Sequence, residues 1–318
     1  MKRWLALLTI VPALTLSARA EPPTLLPQDA VWGIVFDTTA VVDSELSQQA
    51  WNSLAEPRRE KILDKVDGLS QILGLDLTRD IGRIAAFGTG YAPQDMALVA
   101  EIGPQQTNLE GLFLAGKSYQ SADYGQHLIH SIQQSPERPR VYGVVVPGSD
   151  QRPGLFIASP GLERTKALVD QADLGAHAAA ESLLGQNEYL RMWVASVPDE
   201  MLAPNSRQSN IAAMIKSIEL VGHTGPTQGD LTLNLHMVDD GRARTLLQMA
   251  SGFKAMIEFA AAEDAEAAKL ADLLAYVSMD QPDAGSTVRL QAKVTKQDVD
   301  VFLNMLDRAG AFRELDLD

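Results

Sequence analysis

The chain contains no cysteine. Disulfide bonds, thiol catalysis, iron–sulfur clusters and zinc sites built on thiolates are therefore excluded. A lipid anchor is excluded as well, because that anchor is attached to a cysteine at the signal cleavage site. A chain of this length buries a substantial core without crosslinks.

Several catalytic motifs are also missing from the sequence. It has no G-x-S-x-G elbow, no G-x-x-x-x-G-K-[ST] phosphate loop and no G-x-G-x-x-G dinucleotide motif. We therefore predict no cofactor and no catalytic residue from sequence. No apolar run after residue 16 is long enough to cross a bilayer, so we predict no membrane span in the mature chain.

Positive charge is scarce, with 27 Lys and Arg against 41 Asp and Glu, and the net charge is −14. The first 20 residues carry three of the cations and no acid, which leaves the rest of the chain near −17. An acidic surface repels phosphate backbones and anionic headgroups. The sequence therefore predicts no nucleic-acid partner.

The N-terminus has the three parts of a secretory signal peptide. Two cations are followed by an uncharged apolar run at 4–16 and by an A-x-A site formed by Ala18 and Ala20, so the mature chain would begin at Glu21. A membrane anchor would need about 20 apolar residues. We predict that residues 1–20 are cleaved and that the protein is exported to the bacterial periplasm or the extracellular space.

The remaining chain alternates hairpin and helix patterns. Strands are predicted at 30–37, 81–88, 95–103, 140–146, 155–158, 190–197, 215–222, 231–238 and 288–294. Helices are predicted at 44–54, 57–74, 108–116, 160–173, 241–260 and 262–274, with a last one after Thr295. The helix at 241–260 is amphipathic, and its apolar face consists of Ala243, Leu246, Leu247, Ala250, Phe253 and Ile257. The stretch 119–131 fits either a helix or a strand.

The two halves of the chain look like copies of each other. The pattern Ile81-x-x-Ile84-x-x-Phe87-Gly88 is repeated from Ile215 to Gly222. We predict an α+β fold of two related domains, 21–174 and 189–318, joined by a connector at 175–188. Each domain would be a mainly antiparallel sheet built from hairpins with helices packed on it, in a split βαβ-like arrangement.

Strict alternation in two strands predicts a polar sheet face in the second half. Apolar residues at 231, 233, 235 and 237 and at 288, 290, 292 and 294 alternate with polar ones. The predicted binding surface consists of Thr232, Asn234, His236, Arg289, Gln291 and Lys293.

Other candidate sites are less specific. His127 and His130 form an H-x-x-H that could reach one metal from a helix but would point to opposite faces of a strand. The turns at 239–241 and 280–286 resemble fragments of calcium loops but lack the distal glutamate of an EF-hand. Asp239 and Asp240 fit a helix start better, because negative charge suits the N-terminal end of the helix dipole. A sugar could stack on Trp32, Trp51 or Trp193. The strand positions of Trp32 and Trp193, however, favour the core. We predict no metal site.

The string Gly74-Leu-Asp-Leu-Thr-Arg-Asp-Ile-Gly-Arg-Ile84, the hairpin after it and the duplicated layout resemble uncharacterised exported bacterial proteins of the domain-of-unknown-function type, with duplicated α/β units. The resemblance implies an envelope protein and assigns a role to no residue.

These observations favour a non-catalytic binding or scaffolding protein of the cell envelope, whose partner would be another envelope protein. Two alternatives remain open. A periplasmic solute-binding protein fits the length, but such proteins alternate strand and helix in parallel sheets. A hydrolase with a dispersed active site leaves no sequence motif.

Overall fold

Two compact units of α+β structure form the part of the chain that the computed structural model describes. That part covers residues 29–73, 75–76, 78–103, 109–114, 116–148, 153–174, 184–185, 187–195, 211–282, 285–301 and 303. The predicted signal peptide at 1–20 with Ala18, Ala20 and Glu21, most of the connector at 175–188, and the last helix beyond its first turn lie outside the described residues.

The first unit comprises the described residues up to Val42 together with Pro57–Met192. The second comprises Asp43–Glu56 and the described residues from Trp193 onward.

Seven α-helices have both ends within the described ranges. They are α1 Thr38–Val42, α2 Glu45–Ser53, α3 Glu56–Leu73, α4 Leu109–Leu114, α5 Leu162–Asp173, α6 Asp240–Ala260 and α7 Ala265–Ala275. The twelve strands are β1 Trp32–Asp37, β2 Ile81–Gly88, β3 Met96–Ile102, β4 Gln120–Tyr124, β5 His127–Ile132, β6 Val141–Val146, β7 Gly154–Ser159, β8 Glu188–Val194, β9 Ile215–Thr224, β10 Gln228–Met237, β11 Val277–Asp280 and β12 Thr287–Thr295. The ambiguous stretch 119–131 is therefore a β-hairpin.

The first unit, which contains β8 only as far as Met192, has the strand order β8-β1-β2-β3-β7-β6-β5-β4, and β1 to β7 are antiparallel throughout. In the second unit the order is β11-β12-β10-β9, again antiparallel. The order β2-β3-β7-β6 therefore has the same form as β9-β10-β12-β11. In both units a helical segment separates the two hairpins.

Local side-chain hydrogen bonds fix the starts of several helices. Ser44 caps α2 by accepting from the backbone N–H of Ser47 at 3.0 Å. Asp239 caps α6 by accepting from the N–H of Arg242 at 2.8 Å, so this acidic pair starts a helix, as its charge at the positive end of the dipole predicts.

The described residues 75–76 and 78–80 lie in the turn between α3 and β2. Asp76 accepts from the backbone N–H and the hydroxyl of Thr78 at 3.0 and 2.6 Å, which lowers the pKa of its carboxyl. The carbonyl of Asp80 then accepts from the N–H of Gly103 at 2.6 Å, which ties the turn to the end of β3. These residues have a structural role in the junction.

The sheet of the first unit is covered on both faces near β5–β7. Phe113 of α4 packs on one face, so close to Gly143 that a Cβ there would lie 2.1 Å from the ring. The carboxylates of Asp170 and Asp173 in α5 bind Tyr124 and His127 on the other. This double cover explains the continuous apolar character of β6 and β7.

In the second unit, helices cover one sheet face. Met237, Ala243 and Val288 form a buried cluster, and Leu235, Leu246 and Leu247 pack against it. The α6 helix therefore lies on the apolar side of β10 and β12, as predicted. Phe253, predicted on the core-facing stripe, is 55 % exposed instead, because the side of α6 that meets the sheet is centred on Ala243 and Ile257.

The described helices include none long and apolar enough to cross a membrane.

Candidate functional site

The six predicted surface residues lie on one face of the second unit. Thr232 is directly opposite Gln291 and Asn234 is opposite Arg289 in the antiparallel pairing of β10 with β12. Lys293 is opposite Asp230, and His236 is opposite Thr287. Directly opposed residues share a sheet face, so the structure brings all six together. We call this surface, with Asp230, Glu219, Asp280 and Thr287, the polar sheet face.

A hydrogen-bonded group surrounds Asp230 at one end of this face. Its Oδ1 accepts from the Thr232 hydroxyl at 3.1 Å and from Gln291 Nε2 at 3.4 Å, and it lies 3.3 Å from His223 Nδ1. Gln291 Nε2 also lies 3.3 Å from the Thr232 hydroxyl. One carboxylate thus orders three neighbouring side chains on three strands.

A second row crosses the sheet through Asn234. Arg289 Nε donates to Asn234 Oδ1 at 3.4 Å, and Asn234 Nδ2 donates to Glu219 Oε2 at 3.3 Å. The Cα of Asp280 on β11 is opposite that of Arg289. The row therefore consists of an acid, a base, an amide and a second acid, one on each of four strands.

A third group on the polar sheet face is the pair of His236 and Thr287. Its Nδ1 lies 3.0 Å from the hydroxyl of Thr287. Burial lowers the pKa of His236 below its ordinary 6.5; Glu219 acts in the opposite direction and Lys216 in the same one. The imidazole is consequently neutral at neutral pH, and the polar sheet face carries no charge at this position.

This lowered pKa predicts a pH dependence of stability. Because the unfolded chain binds a proton to His236 more tightly than the folded one, the histidine favours folding fully above pH 6.5 and this contribution is lost as the pH falls through its lower folded pKa. We expect the urea midpoint of the wild type to fall more steeply from pH 7.5 to pH 5 than that of His236→Gln, which retains a partner for Thr287. Parallel profiles would show that His236 is not the responsible group.

The polar sheet face carries two cations, Arg289 and Lys293. Among the described residues, neither Arg289 nor Lys293 makes an ion pair, and the side chain of Lys293 is exposed. They are available to carboxylates of another molecule.

Sequence reasoning missed four members of the polar sheet face. Asp230 and Thr287 each stand two positions from a predicted residue, so the same alternation extended by one step would have included them. Glu219 was not found because its strand neighbours on this face, Ser217 and Val221, are buried and do not form a polar pattern. Asp280 lies on a strand of only four residues.

The two histidines of the H-x-x-H motif lie on β5 and point to opposite faces. His127 is buried and its Nε2 lies 2.9 Å from Asp173 Oδ1. His130 stacks on Phe113 with its Nδ1 3.0 Å from the Tyr119 hydroxyl. They cannot share a metal.

Beside His127, the Tyr124 hydroxyl donates to both oxygens of Asp170, at 3.0 and 2.9 Å, which raises the pKa of the tyrosine. Two neighbouring side chains of the β4–β5 hairpin are thus anchored to α5. Across the described ranges, no group of three or more His, Asp or Glu side chains is arranged to hold a metal ion.

The tryptophans are placed differently from one another. Trp32 is 6 % exposed and its indole donates to the carbonyl of Gly90 at 2.9 Å, so it belongs to the core. Trp51 and Trp193 are half-buried.

Comparison with known proteins gives no family. No family model matches the chain, and no curated protein matches it. Among solved structures, crystal form I of TP0453 is 10 % identical, covering 91 % of this chain and 98 % of its own, with a TM-score of 0.43. Crystal form III is 9 % identical, covering 90 % and 99 %, also with a TM-score of 0.43. Similarity this low transfers neither a function nor a site residue.

Proposed function

We propose that this chain is an exported, non-catalytic binding or scaffolding protein of the bacterial cell envelope. Its partner would be another envelope protein, which presents carboxylates to Arg289 and Lys293 on the polar sheet face. The signal-like pattern at 1–20 and the absence of cysteine support export. The hydrogen-bonded rows of the polar sheet face are the observation on which the binding role rests.

The size of this face suits a protein partner. Four strands about 4.8 Å apart, the longest with ten residues rising about 3.4 Å each, span an area of roughly 15 by 30 Å. This is about 450 Å², roughly half of the 800 Å² that one side of a standard protein interface buries, so a protein partner would also contact residues around this face. Small ligands, in contrast, prefer concave and mainly apolar pockets.

Preorganisation also supports binding. Asp230, Asn234 and Gln291 are held by hydrogen bonds to their neighbours, so their rotamers are fixed before any partner arrives. Fixing a side chain at an interface costs about 0.5–1.5 kcal/mol when it is free beforehand. A prearranged polar surface avoids much of that cost.

We further propose that the two units are related by duplication. The shared order of β2-β3-β7-β6 and β9-β10-β12-β11, and the helical segment between the hairpins of each unit, support this. The first unit then carries the β4–β5 hairpin as an addition at the end of its sheet.

The two alternative functions require a small ligand or substrate. For a hydrolase, the His127–Asp173 pair would be the candidate for the histidine and its orienting carboxylate. A thermal-shift screen against metals, sugars, amino acids and peptidoglycan fragments separates the alternatives. A ligand at a hundred times its Kd stabilises the folded state by about 2.7 kcal/mol, and a saturable shift of that size would contradict the scaffold proposal.

Cysteine footprinting tests the binding role directly, since every introduced thiol is unique in this chain. Ser278 on the polar sheet face and Ser121 in the first unit are both exposed serines on edge strands. We expect Ser278→Cys to react with a membrane-impermeant maleimide several-fold more slowly in intact cells with a permeabilised outer membrane than after purification. Ser121→Cys should react equally in both. Equal rates for Ser278→Cys would contradict the proposal.

A further inference from the structure

The α6 helix displays a run of large apolar side chains to solvent. Met249 is 49 % exposed, Phe253 55 %, Met256 60 % and Phe259 85 %. Contiguous exposed apolar patches of this kind mark interaction sites. We call these four residues, with Thr245 and Gly252, the α6 stripe.

The spacing of the α6 stripe is that of a helix–helix seam. Thr245, Met249, Gly252, Met256 and Phe259 follow one another at intervals of four, three, four and three residues. This period of 3.5 is the a/d heptad pattern by which one helix packs along another. Ala243 and Ile257, which are buried, belong to the separate side of α6 that meets the sheet.

We propose that the α6 stripe binds the α6 stripe of a second copy of this chain, with the two helices antiparallel. A two-fold axis between Gly252 and Phe253 brings Met249 of one copy to Met256 of the other. The Phe253 ring then enters the space over Gly252, where a Cβ would meet nothing within 4 Å in the single chain. Such an isologous contact is closed and forms a dimer.

The exposed apolar area of the α6 stripe matches what a dimer interface with a second copy requires. Methionine and phenylalanine side chains at these exposures present roughly 500 Å² in total, since an aromatic side chain buries about 150–250 Å² when fully covered. A standard interface buries about 800 Å² on each side, and homodimer interfaces are about 65 % apolar. The α6 stripe thus supplies the apolar share of one standard dimer interface.

A pair of opposite charges fits the proposed register. The net charge of −14 repels a second copy as well as anionic headgroups, so the choice of a second copy rests on the spacing and area of the α6 stripe. The proposed register places Arg242, in the first turn of α6 of one copy, on the side of the axis where the other copy has Glu263, three residues beyond the end of α6. Both residues are exposed in the single chain.

This dimer and the partner interaction proposed above use different surfaces. The α6 helix lies on the apolar side of β10 and β12, whereas the polar sheet face is the other side of the same strands. An experiment that contradicts the dimer would therefore leave the proposed partner interaction standing, and the reverse also holds.

Sedimentation velocity over a concentration series up to about 200 µM tests the proposal. We expect the average mass of the wild type to rise towards twice that of the monomer, and Met249→Glu and Phe253→Glu to stay monomeric with unchanged circular dichroism. Leu174→Glu is the matched control, since Leu174 is an 88 % exposed leucine in the first unit. It should dimerise like the wild type.

Crosslinking tests the antiparallel register. Gly252→Cys should form a disulfide dimer under mild oxidation, as should a mixture of Met249→Cys with Met256→Cys, whereas Met249→Cys alone should not.

A wild type that stays monomeric, or stripe variants that dimerise like it, would overturn the proposal. So would a monomer that co-sediments with phosphatidylcholine vesicles through these same residues.

Discussion

Replacing Met237 with alanine is expected to lower the free energy of unfolding by about 2–5 kcal/mol. The side chain is fully buried at the end of β10, in one cluster with Ala243 and Val288. Truncation removes buried methylene groups and leaves a cavity beneath the N-terminal half of α6. Urea denaturation followed by circular dichroism measures the change from the shift in midpoint at constant slope.

Asn234→Ala is the matched control, because Asn234 lies on the same strand but on the polar sheet face. It loses the hydrogen bonds with Arg289 and Glu219, which are partly exposed to water. A net hydrogen bond contributes about 1 kcal/mol, so we expect a smaller loss than for Met237→Ala. Equal losses would contradict the assignment of one buried and one polar face to this sheet.

Replacing Phe87 with alanine is expected to cost about 3–5 kcal/mol in the first unit. The ring is 2 % exposed on β2, and the residues directly opposite it on the adjacent strands are Gly33 and Ala97. Because neither neighbour has a side chain that could extend into the space left by the ring, the cavity can collapse only slightly. The same denaturation experiment measures the loss.

Arg79→Ala provides the comparison for Phe87→Ala. Its side chain is 84 % exposed and makes only a 3.9 Å contact with Asp76, so we expect a change within about 0.5 kcal/mol. A loss below about 1 kcal/mol for Phe87→Ala would show that β2 is not part of the core.

Much of the fold could be predicted from the sequence because its strands and helices have clear periods. The alternation in β10 and β12 predicted both faces of that sheet, and Asp239 predicted the start of α6. The hairpin β4–β5 could not be assigned, because 119–131 lacks a single period and its H-x-x-H spacing also suits a helix. The order of the strands in the sheet could not be predicted, because strand pairing depends on contacts between residues distant in sequence.

The polar sheet face was predicted only in part, for a similar reason. Alternation identifies residues within one strand, whereas the hydrogen-bonded rows run across strands. Glu219 enters through the pairing of β9 with β10, a relation that β9 does not show in its own pattern. Phe253 was misplaced because the apolar side of α6 is wider than the sheet contact, and sequence does not reveal which part stays exposed.

Photo-crosslinking in intact cells tests the central claim most directly. Gln228 lies on the polar sheet face, and Gln120 on the edge strand of the first unit is also an exposed glutamine on a strand. With benzoylphenylalanine at position 228, we predict one discrete protein adduct, reduced at least tenfold by Arg289→Glu because a like charge would then oppose the partner's carboxylates. Position 120 should give no such adduct. No adduct from 228, or the same adducts from both positions, would contradict the account.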